Sequence, residues 1–346
     1  MNLQKTLLAA FAAGIFTIGA GHAQEPKPAV VVYATGGTIA GASKSNTDTT
    51  TYKAASLGVQ ALLEAVPELA QVAKVSGEQI ANVGSNAIDQ AILLRLAHAI
   101  NIRLAEPSVH GAVVTHGTDT LEETAFFLDL TTASPKPVVV VGSMRPATAI
   151  SADGPMNLLQ AVTLAASKDA ENRGVLIALN DRIGSAYYTT KTNTTAVDTF
   201  RATEQGYLGM FIGTVPKFYY SAATPVHKPH FNVEGVNSFP KVSIVYMHED
   251  QDNEQIEAAI RAGAKGIVIA GTGNGSVPPD VKKRILELTE QGFPVVRSTR
   301  TGSGFATKKM EGIGSGALNP QKSRILLMLA LSQSSDLPTI RRYFEE

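Results

Sequence analysis

Short, continuous apolar runs that alternate with amphipathic helical segments constrain the fold of this chain more than any other feature. Runs of this length and composition are typical of strands that are buried on both faces of a parallel sheet. They occur at Val30–Ala34, Gly111–Thr115, Pro137–Val141, Gly174–Leu179, Val242–Tyr246, Gly266–Ala270 and Pro294–Val296, with a weaker one at Gln79–Val83.

The segments between these runs have helical periodicity. Ile88, Ile92, Leu96, Ile100 and Leu104 recur every four residues and form one apolar face. Comparable patterns occur at Leu121–Leu130, Met156–Ala166, Glu254–Ala262, Val281–Leu288 and Ser323–Leu331. Alternation of strands and helices predicts right-handed crossovers and a mostly parallel sheet.

The pattern lapses into Pro-rich, weakly periodic sequence at residues 216–240, which predicts a linker. We therefore expect an α/β fold. Its larger N-terminal domain, at residues 28–216, would hold a parallel, flavodoxin- or Rossmann-like sheet. A linker at 217–240 would lead to a smaller parallel α/β domain at 241–346.

Composition excludes several classes of protein. The 346 residues include 44% apolar and 17% charged side chains, too apolar for a disordered chain. The 30 basic and 30 acidic residues give no excess of positive charge with which to neutralise the phosphates of a nucleic acid. Since the chain has no Cys, it has no disulfide, no thiol nucleophile and no thiolate metal site.

The N-terminal 23 residues have the pattern of a secretory signal. Lys5 precedes an apolar run, Leu7–Ala20, and the small residues Gly21 and Ala23 suit cleavage after Ala23. The run is shorter than the ~20 residues of a membrane-spanning helix. We expect a periplasmic protein with no membrane segment after cleavage; the alternative is an N-terminal core helix.

Small polar residues and glycines follow the predicted strands where each strand ends. In parallel sheets these carboxyl ends share one edge, where ligands bind, and glycines there let a backbone approach a ligand closely. The segments are Thr35–Gly41, Gly84–Asn86, His116–Thr120, Gly142–Pro146 and Gly271–Gly275.

Familiar catalytic and binding signatures are missing from the sequence. It contains no phosphate loop, no G-x-G-x-x-G, no G-x-S-x-G nucleophile elbow and no H-E-x-x-H zinc motif. His227 and His230, which flank a Lys-Pro pair, do not predict a metal site. His116 at a strand end favours a structural role.

Several polar residues also fit ordinary structural roles. Thr38 suits a turn or a helix cap, and Asn86 precedes a helix. Asp119 with Glu122, or Thr120 with Glu123, fits a capping box. Lys191, in a polar run, and Glu311, in a Gly-rich stretch, have the pattern of solvated surface charges.

The same residues together fit acyl transfer from an amide. A Thr hydroxyl is a weak nucleophile that needs a base or a strong local field. Lys191 suits the base if burial lowers its pKa, with Asp119 orienting it, which gives a Thr118–Lys191–Asp119 triad. Thr38 and Tyr52 offer a second hydroxyl with a phenol, and amides at the glycine turns suit a developing oxyanion.

Two signatures in this chain resemble those of the bacterial asparaginase family. They are Thr35–Gly41 (TGGTIAG) and Thr115–Thr120 (THGTDT). Further matching segments run in order along the chain after the N-terminal segment: Gly77–Gln79, Gly142–Pro146, Ser151–Gly154, Lys191–Thr195, Gly273–Gly275 and Leu318–Lys322. With the N-terminal segment, the chain most resembles the secreted type II L-asparaginases and glutaminase-asparaginases.

The resemblance implies an amidohydrolase that converts L-asparagine to L-aspartate and ammonia, with L-glutamine as a possible second substrate. It implies that Thr38 attacks the side-chain amide and forms an acyl-enzyme, while Tyr52 helps to activate it and covers the site. It implies a second catalytic group of Thr118, Asp119 and Lys191. In this family either threonine has been argued to attack first.

The resemblance also implies the substrate-binding residues: Gly37, Ser85, Asn86, Thr118, Asp119, Ser143, Asn274 and Glu311. Ser85 and Asp119 match residues that hold the α-carboxylate and α-amino groups. Asn274 and Glu311 match residues that come from a neighbouring subunit of a homotetramer. No metal and no cofactor are implied.

A protein of another class also fits secretion, two α/β domains and a polar cleft. A periplasmic amino-acid binding protein would bind its ligand and release no ammonia. The two threonine signatures and the lysine favour the enzyme.

Overall fold

The computed structural model describes residues 26–345 of the chain. The predicted signal segment, residues 1–23, lies outside this range. None of the helices within the described range is both long and apolar enough to cross a membrane.

The N-terminal part of the chain forms an eight-stranded mixed sheet. The five parallel strands are β1 (Ala29–Gly36), β2 (Lys74–Val83), β3 (Val109–Thr115), β4 (Val138–Val141) and β5 (Val175–Leu179). The predicted parallel sheet is confirmed for these strands, and their order 2-1-3-4-5 is flavodoxin-like.

Three antiparallel strands, which the sequence analysis did not predict, extend this sheet beyond β5. They are β6 (Arg182–Ser185), β9 (Gly209–Ile212) and β10 (Val215–Phe218). The complete order is β10-β9-β6-β5-β4-β3-β1-β2. The β5–β6 connection consists of Asn180 and Asp181, both with positive φ, as a tight hairpin turn requires. A separate short ribbon pairs β7 (Thr190–Lys191) with β8 (Phe200–Arg201).

Helices cover both faces of the large sheet. Within β1, Val31 and Tyr33 face one apolar cluster while Val30 and Val32 face the other, which explains the continuous apolar run. The helices are α1 (Val59–Glu64), α2 (Leu69–Val72), α3 (Gln90–Ala105), α4 (Leu121–Thr131) and α5 (Gly154–Ala165). Helices α3 and α4 lie on the Tyr33 face, and α1, α2 and α5 lie on the other.

The C-terminal part forms a second, fully parallel sheet. Its strands are β11 (Val242–Tyr246), β12 (Gly266–Gly271), β13 (Val295–Thr299) and β14 (Ile313–Gly314). Its helices are α6 (Glu254–Arg261), α7 (Pro279–Glu290), α8 (Pro320–Gln333) and α9 (Leu337–Glu345). Helix α8 packs on β12 and also on α4, so one apolar cluster spans both sheets. The exact domain and linker bounds stay a prediction.

The strand order locates the candidate site. From β1 the chain crosses to β2 on one side and later to β3 on the other. A ligand crevice opens at such a switch point, outside the carboxyl ends of the two strands that flank it. The segments that carry Thr38 and Thr118 follow β1 and β3, and therefore lie at this point.

Candidate active site

Thr38 begins a short 3-10 helix, Thr38–Ala40, directly after β1. Gly36 and Gly37 precede it with φ of 105° and 82°, a backbone turn that side chains rarely allow. The Thr38 side chain is buried, and its hydroxyl shares a 2.7 Å hydrogen bond with the phenol of Tyr52.

Tyr52 reaches Thr38 because the loop between them is closed at its base. Ala42 and Lys53 exchange two backbone hydrogen bonds of 3.0 Å, which return the chain to the 3-10 helix. The Tyr52 ring then lies against Gly41, where an added Cβ would come within 3.0 Å of it.

Glycines let three loops meet without intervening side chains. A Cβ on Gly37 would lie 2.2 Å from the Gly117 nitrogen, and a Cβ on Gly117 would lie 2.9 Å from the Ser85 hydroxyl oxygen. The Gly37 N–H already donates to the Val83 carbonyl at 3.0 Å. Gly37 therefore contributes close approach of the two threonine loops rather than a free amide donor.

The predicted Thr118–Lys191–Asp119 group is assembled. Lys191 Nζ donates to Thr118 Oγ1 at 3.1 Å and to Asp119 Oδ1 at 2.7 Å. The lysine side chain is 15% exposed and the aspartate side chain is 70% exposed. The amine is thus held inside the site, with its carboxylate partner at the surface.

The capping-box hypothesis for this segment is wrong. Helix α4 begins after Thr120, which makes no side-chain capping bond. Thr120 instead donates from its hydroxyl to the Ser85 carbonyl at 2.7 Å, and Asp119 bonds to Lys191. Hydrogen bonds to residues distant in the chain therefore take the place of the predicted capping bonds at the start of α4.

Ser85 and Asn86 lie in a second 3-10 turn, Ser85–Ala87, after β2. The Ser85 side chain is buried, and its oxygen accepts from the Asp119 N–H at 3.2 Å, which ties this turn to the Thr118 loop. Asn86 is exposed and does not cap α3, because Asp89 occupies the N-cap and accepts from Ile92.

His116 has the structural role that its position suggested. It is fully buried, with Nδ1 2.6 Å from the Gly117 carbonyl oxygen and Nε2 2.9 Å from Thr124 Oγ1. A carbonyl only accepts, so Nδ1 carries the proton and Nε2 accepts from Thr124. Burial lowers the pKa of His116 to about 4, which keeps the ring neutral under the Gly117 loop.

The structure does not bring every predicted residue to this cluster. Ser143 is buried, but its hydroxyl donates to Arg145 of its own loop at 2.7 Å. The Asn274 side chain bonds to Thr307, and the buried Glu311 faces Lys282 at 3.8 Å. These side-chain contacts of Asn274 and Glu311 lie within the C-terminal part of the described chain.

A network beside Lys191 was missed by sequence reasoning. Glu122 is buried and accepts hydrogen bonds from Asn319 and Gln321, while Lys322, also buried, binds backbone carbonyls just before β7. The segment Leu318–Lys322 carried part of the family resemblance, but nothing in its pattern places it against Lys191. The described residues contain no group of three or more His, Cys, Asp or Glu side chains that could hold a metal ion.

Comparison with known proteins gives a consistent result. Residues 29–224 match the family model "Asparaginase, N-terminal", and residues 241–344 match the "Glutaminase/Asparaginase C-terminal domain". The chain is similar to L-asparaginase 2 of Bacillus subtilis, with 50% identity over 95% of this chain and 90% of that protein. It is 44% identical to the probable periplasmic L-asparaginase of Haemophilus influenzae, over 92% of this chain and 93% of that one.

A solved structure shares the fold. The crystal structure of a probable cytoplasmic L-asparaginase from Campylobacter jejuni matches with a TM-score of 0.88 and 43% identity. The match covers 92% of this chain and 99% of the Campylobacter jejuni chain. The fold is that of an α/β protein with two threonines at the switch point of its parallel sheet. Together with the family matches, it shows that this chain belongs to the asparaginase family. These comparisons give no support to the binding-protein alternative.

Proposed function

We propose that this chain is an amidohydrolase that converts L-asparagine and water to L-aspartate and ammonia. The observation that carries this proposal is the pair of hydroxyl groups on adjoining loops. Thr38 is bonded to Tyr52, Thr118 is bonded to Lys191, and Gly37 and Gly117 bring the two loops into contact. The family relatives named above as L-asparaginases support the same reaction.

In the first half of the reaction, the Thr38 oxygen attacks the side-chain amide carbon of the substrate. The new O–C bond forms as the C–N bond breaks, which leaves an aspartyl ester on Thr38. The leaving amide nitrogen gains one proton and departs as ammonia. Tyr52 is the hydrogen-bond partner through which Thr38 loses its proton.

Thr118 is placed to supply a proton to the leaving nitrogen, and the proton that Thr38 loses replaces it, so that one proton moves from Thr38 to ammonia overall. The Lys191 amine donates to the Thr118 oxygen, which makes the hydroxyl proton of Thr118 easier to lose. Asp119 holds Lys191 in that orientation. In the second half, water attacks the ester carbon, the bond between that carbon and the Thr38 oxygen breaks, one water proton returns to Thr38, and L-aspartate leaves.

The substrate's charged groups have partners at the mouth of the site. The Asp119 carboxylate, largely exposed, suits the α-ammonium group, and the Ser85 hydroxyl suits the α-carboxylate. Asn86, next along the same turn, is exposed, and its side-chain amide would add a further contact. Because the α-ammonium and α-carboxylate groups would be held at fixed positions, the distance between the substrate's side-chain amide and Thr38 would be fixed as well.

The finer proposals concern assembly, a second substrate and location. Asn274 and Glu311 would complete the site from a neighbouring chain of a homotetramer, which light scattering of the purified protein tests. L-glutamine would be a second substrate. The N-terminal segment would direct the protein to the periplasm, and the mass of the exported protein would show cleavage after Ala23.

Ammonia release from L-asparagine and from L-glutamine, measured separately, tests the function. We expect release from the unaltered protein, and its collapse in both Thr38→Ala and Lys191→Met. The ratio of the rates of ammonia release from L-asparagine and L-glutamine gives the substrate preference. No release from either amide, with amino-acid binding still visible by calorimetry, would overturn the proposal in favour of a binding protein.

A further inference from the structure

The catalytic amine candidate, Lys191, sits on a strand with little support of its own. Strand β7 is two residues long and pairs on one side with β8, through Thr190–Arg201 and Lys191–Phe200. A two-stranded ribbon of this size is not stable in water by itself. Its position therefore has to be fixed by other parts of the molecule.

The other side of β7 meets a buried carboxylate. Glu122, on the first turn of α4, is 3% exposed, and its Oε1 lies 3.4 Å from the Lys191 backbone nitrogen. Asn319 donates from Nδ2 to Glu122 Oε2 at 2.9 Å and to Thr190 Oγ1 at 3.2 Å. Gln321 donates to Glu122 Oε1 at 3.2 Å. One carboxylate thus joins α4, β7 and the start of α8.

The turn just before β7 is fixed by the same segment of α8. Lys322 is 2% exposed and donates from Nζ to the carbonyls of Ala186, Tyr187 and Thr189 at 2.9, 2.9 and 2.7 Å. A buried ammonium is costly unless its hydrogen bonds are satisfied, and these three carbonyls satisfy it. Asn319 also caps α8 by accepting from the Lys322 N–H at 2.9 Å.

We infer that Glu122 and Asn319 are positioning residues that act through Lys191, so that the C-terminal part of each chain sets the catalytic amine of its own N-terminal site. Among the described residues, the hydrogen bonds of these two side chains go to β7 and to the start of α8 and not to Thr118 or Asp119. Their effect passes through the backbone of β7. The position of that backbone determines where the Lys191 side chain starts, and hence whether Nζ reaches Thr118. The inference rests on the proposed amidohydrolase function.

Glu122→Gln is the primary test, because it keeps the shape and replaces one acceptor oxygen by a donor facing other donors. We expect kcat to fall about tenfold to a hundredfold, the size of effect that follows when a catalytic group is misplaced by about 1 Å. KM and the affinity for the product L-aspartate should change less than threefold, because Ser85 and Asp119, which would hold the α-groups, lie on the loops after β2 and β3 and not on β7. Glu123→Gln, which removes the neighbouring carboxyl, is the matched control and should keep the kcat of the unaltered protein.

Asn319→Ala provides a second, independent variant, since Asn319 is only partly buried. Asn319→Ala should lower kcat. Asn319→Asp keeps the oxygen that caps α8 and removes the Nδ2 donor to Glu122, so it separates the capping bond from the bond to Glu122. Unchanged kcat in folded Asn319→Ala or Glu122→Gln overturns the inference alone. Parallel losses of kcat, product affinity and melting temperature also overturn it, because they indicate a general structural role. Absence of ammonia release from the unaltered protein overturns the proposed function together with the inference.

Discussion

The hydroxyl of Thr38 and the phenol of Tyr52 share a hydrogen bond of 2.7 Å, although 14 residues separate them in the chain. A threonine hydroxyl needs such a partner to act as a nucleophile near neutral pH. The bond depends on the loop that the Ala42–Lys53 backbone pair closes, so this one loop brings the proposed nucleophile and its proposed activating group together.

Replacing Thr38, the proposed nucleophile, should separate catalysis from binding. In Thr38→Ala we expect ammonia release to fall by at least about 10³-fold, because no oxygen remains to form the ester. Affinity for L-aspartate, measured by calorimetry, should stay within about threefold, since Ser85 and Asp119 are untouched. Retention of near-normal turnover would move the nucleophile to Thr118.

Removing the phenol oxygen alone should slow turnover with little change in folding. In Tyr52→Phe the ring keeps its contact with Gly41, and only the bond to Thr38 is lost. We expect kcat to fall about 10²-fold, in the usual range for a lost proton-transfer partner. Steady-state kinetics at several pH values measure this. A kcat equal to that of the unaltered protein would leave Tyr52 as a cover for the site only.

A side chain at Gly37 should separate the two threonine loops. In Gly37→Ala the new Cβ meets the Gly117 backbone at 2.2 Å, in addition to the strain of a φ of 82°. Gly206→Ala is the matched control, because Gly206 has a φ of 74° and open space around it. Urea unfolding should show a loss of about 1 kcal/mol for Gly206→Ala and clearly more for Gly37→Ala. Equal losses would show that the loops separate without cost.

His116 should make stability depend on pH. Its pKa is lowered by burial from 6.5 to about 4, so the unfolded chain binds an extra proton between these values. Stability from this group is therefore complete above pH 6.5 and is lost as the pH falls toward 4, by roughly 3 kcal/mol in all. The free energy of unfolding, compared with that of His116→Gln at each pH, measures it. A pH-independent difference would contradict the buried neutral ring.

A buried ion pair should respond differently from an exposed one. Asp129 is 2% exposed at its side chain and pairs with Lys228 at 2.8 Å, whereas Arg103 and Glu106 pair near the surface. Lys228→Met leaves a buried carboxylate without its cation, and we expect a loss of about 3–5 kcal/mol in stability. Arg103→Met, the control, should cost less than about 1 kcal/mol. Chemical denaturation of both variants at pH 7 gives the comparison.

The sequence was sufficient for the parts of the fold that local pattern decides. Apolar runs predicted the buried parallel strands because burial on both faces demands apolar side chains at every position. The first half of β2, a largely exposed edge strand, and the two-residue β14 have no such run and were not predicted. The antiparallel edge was missed because β6, β9 and β10 are short and their turns are weak signals, although Asn180 and Asp181 form a hairpin turn. Capping predictions failed at Thr120 and Asn86 because long-range partners, or a better cap at Asp89, took precedence.

What the sequence determined by itself is the set of chemical groups and the strands that carry them. Thr38 and Thr118 follow strands, and parallel strands bring their carboxyl ends to one edge. Only the tertiary structure decided which groups meet. Lys191 lies 72 residues beyond Asp119 along the chain, yet bonds to it at 2.7 Å, because Glu122, Asn319 and Lys322 fix the strand that carries it. Such contacts depend on packing between distant elements, which no local periodicity encodes.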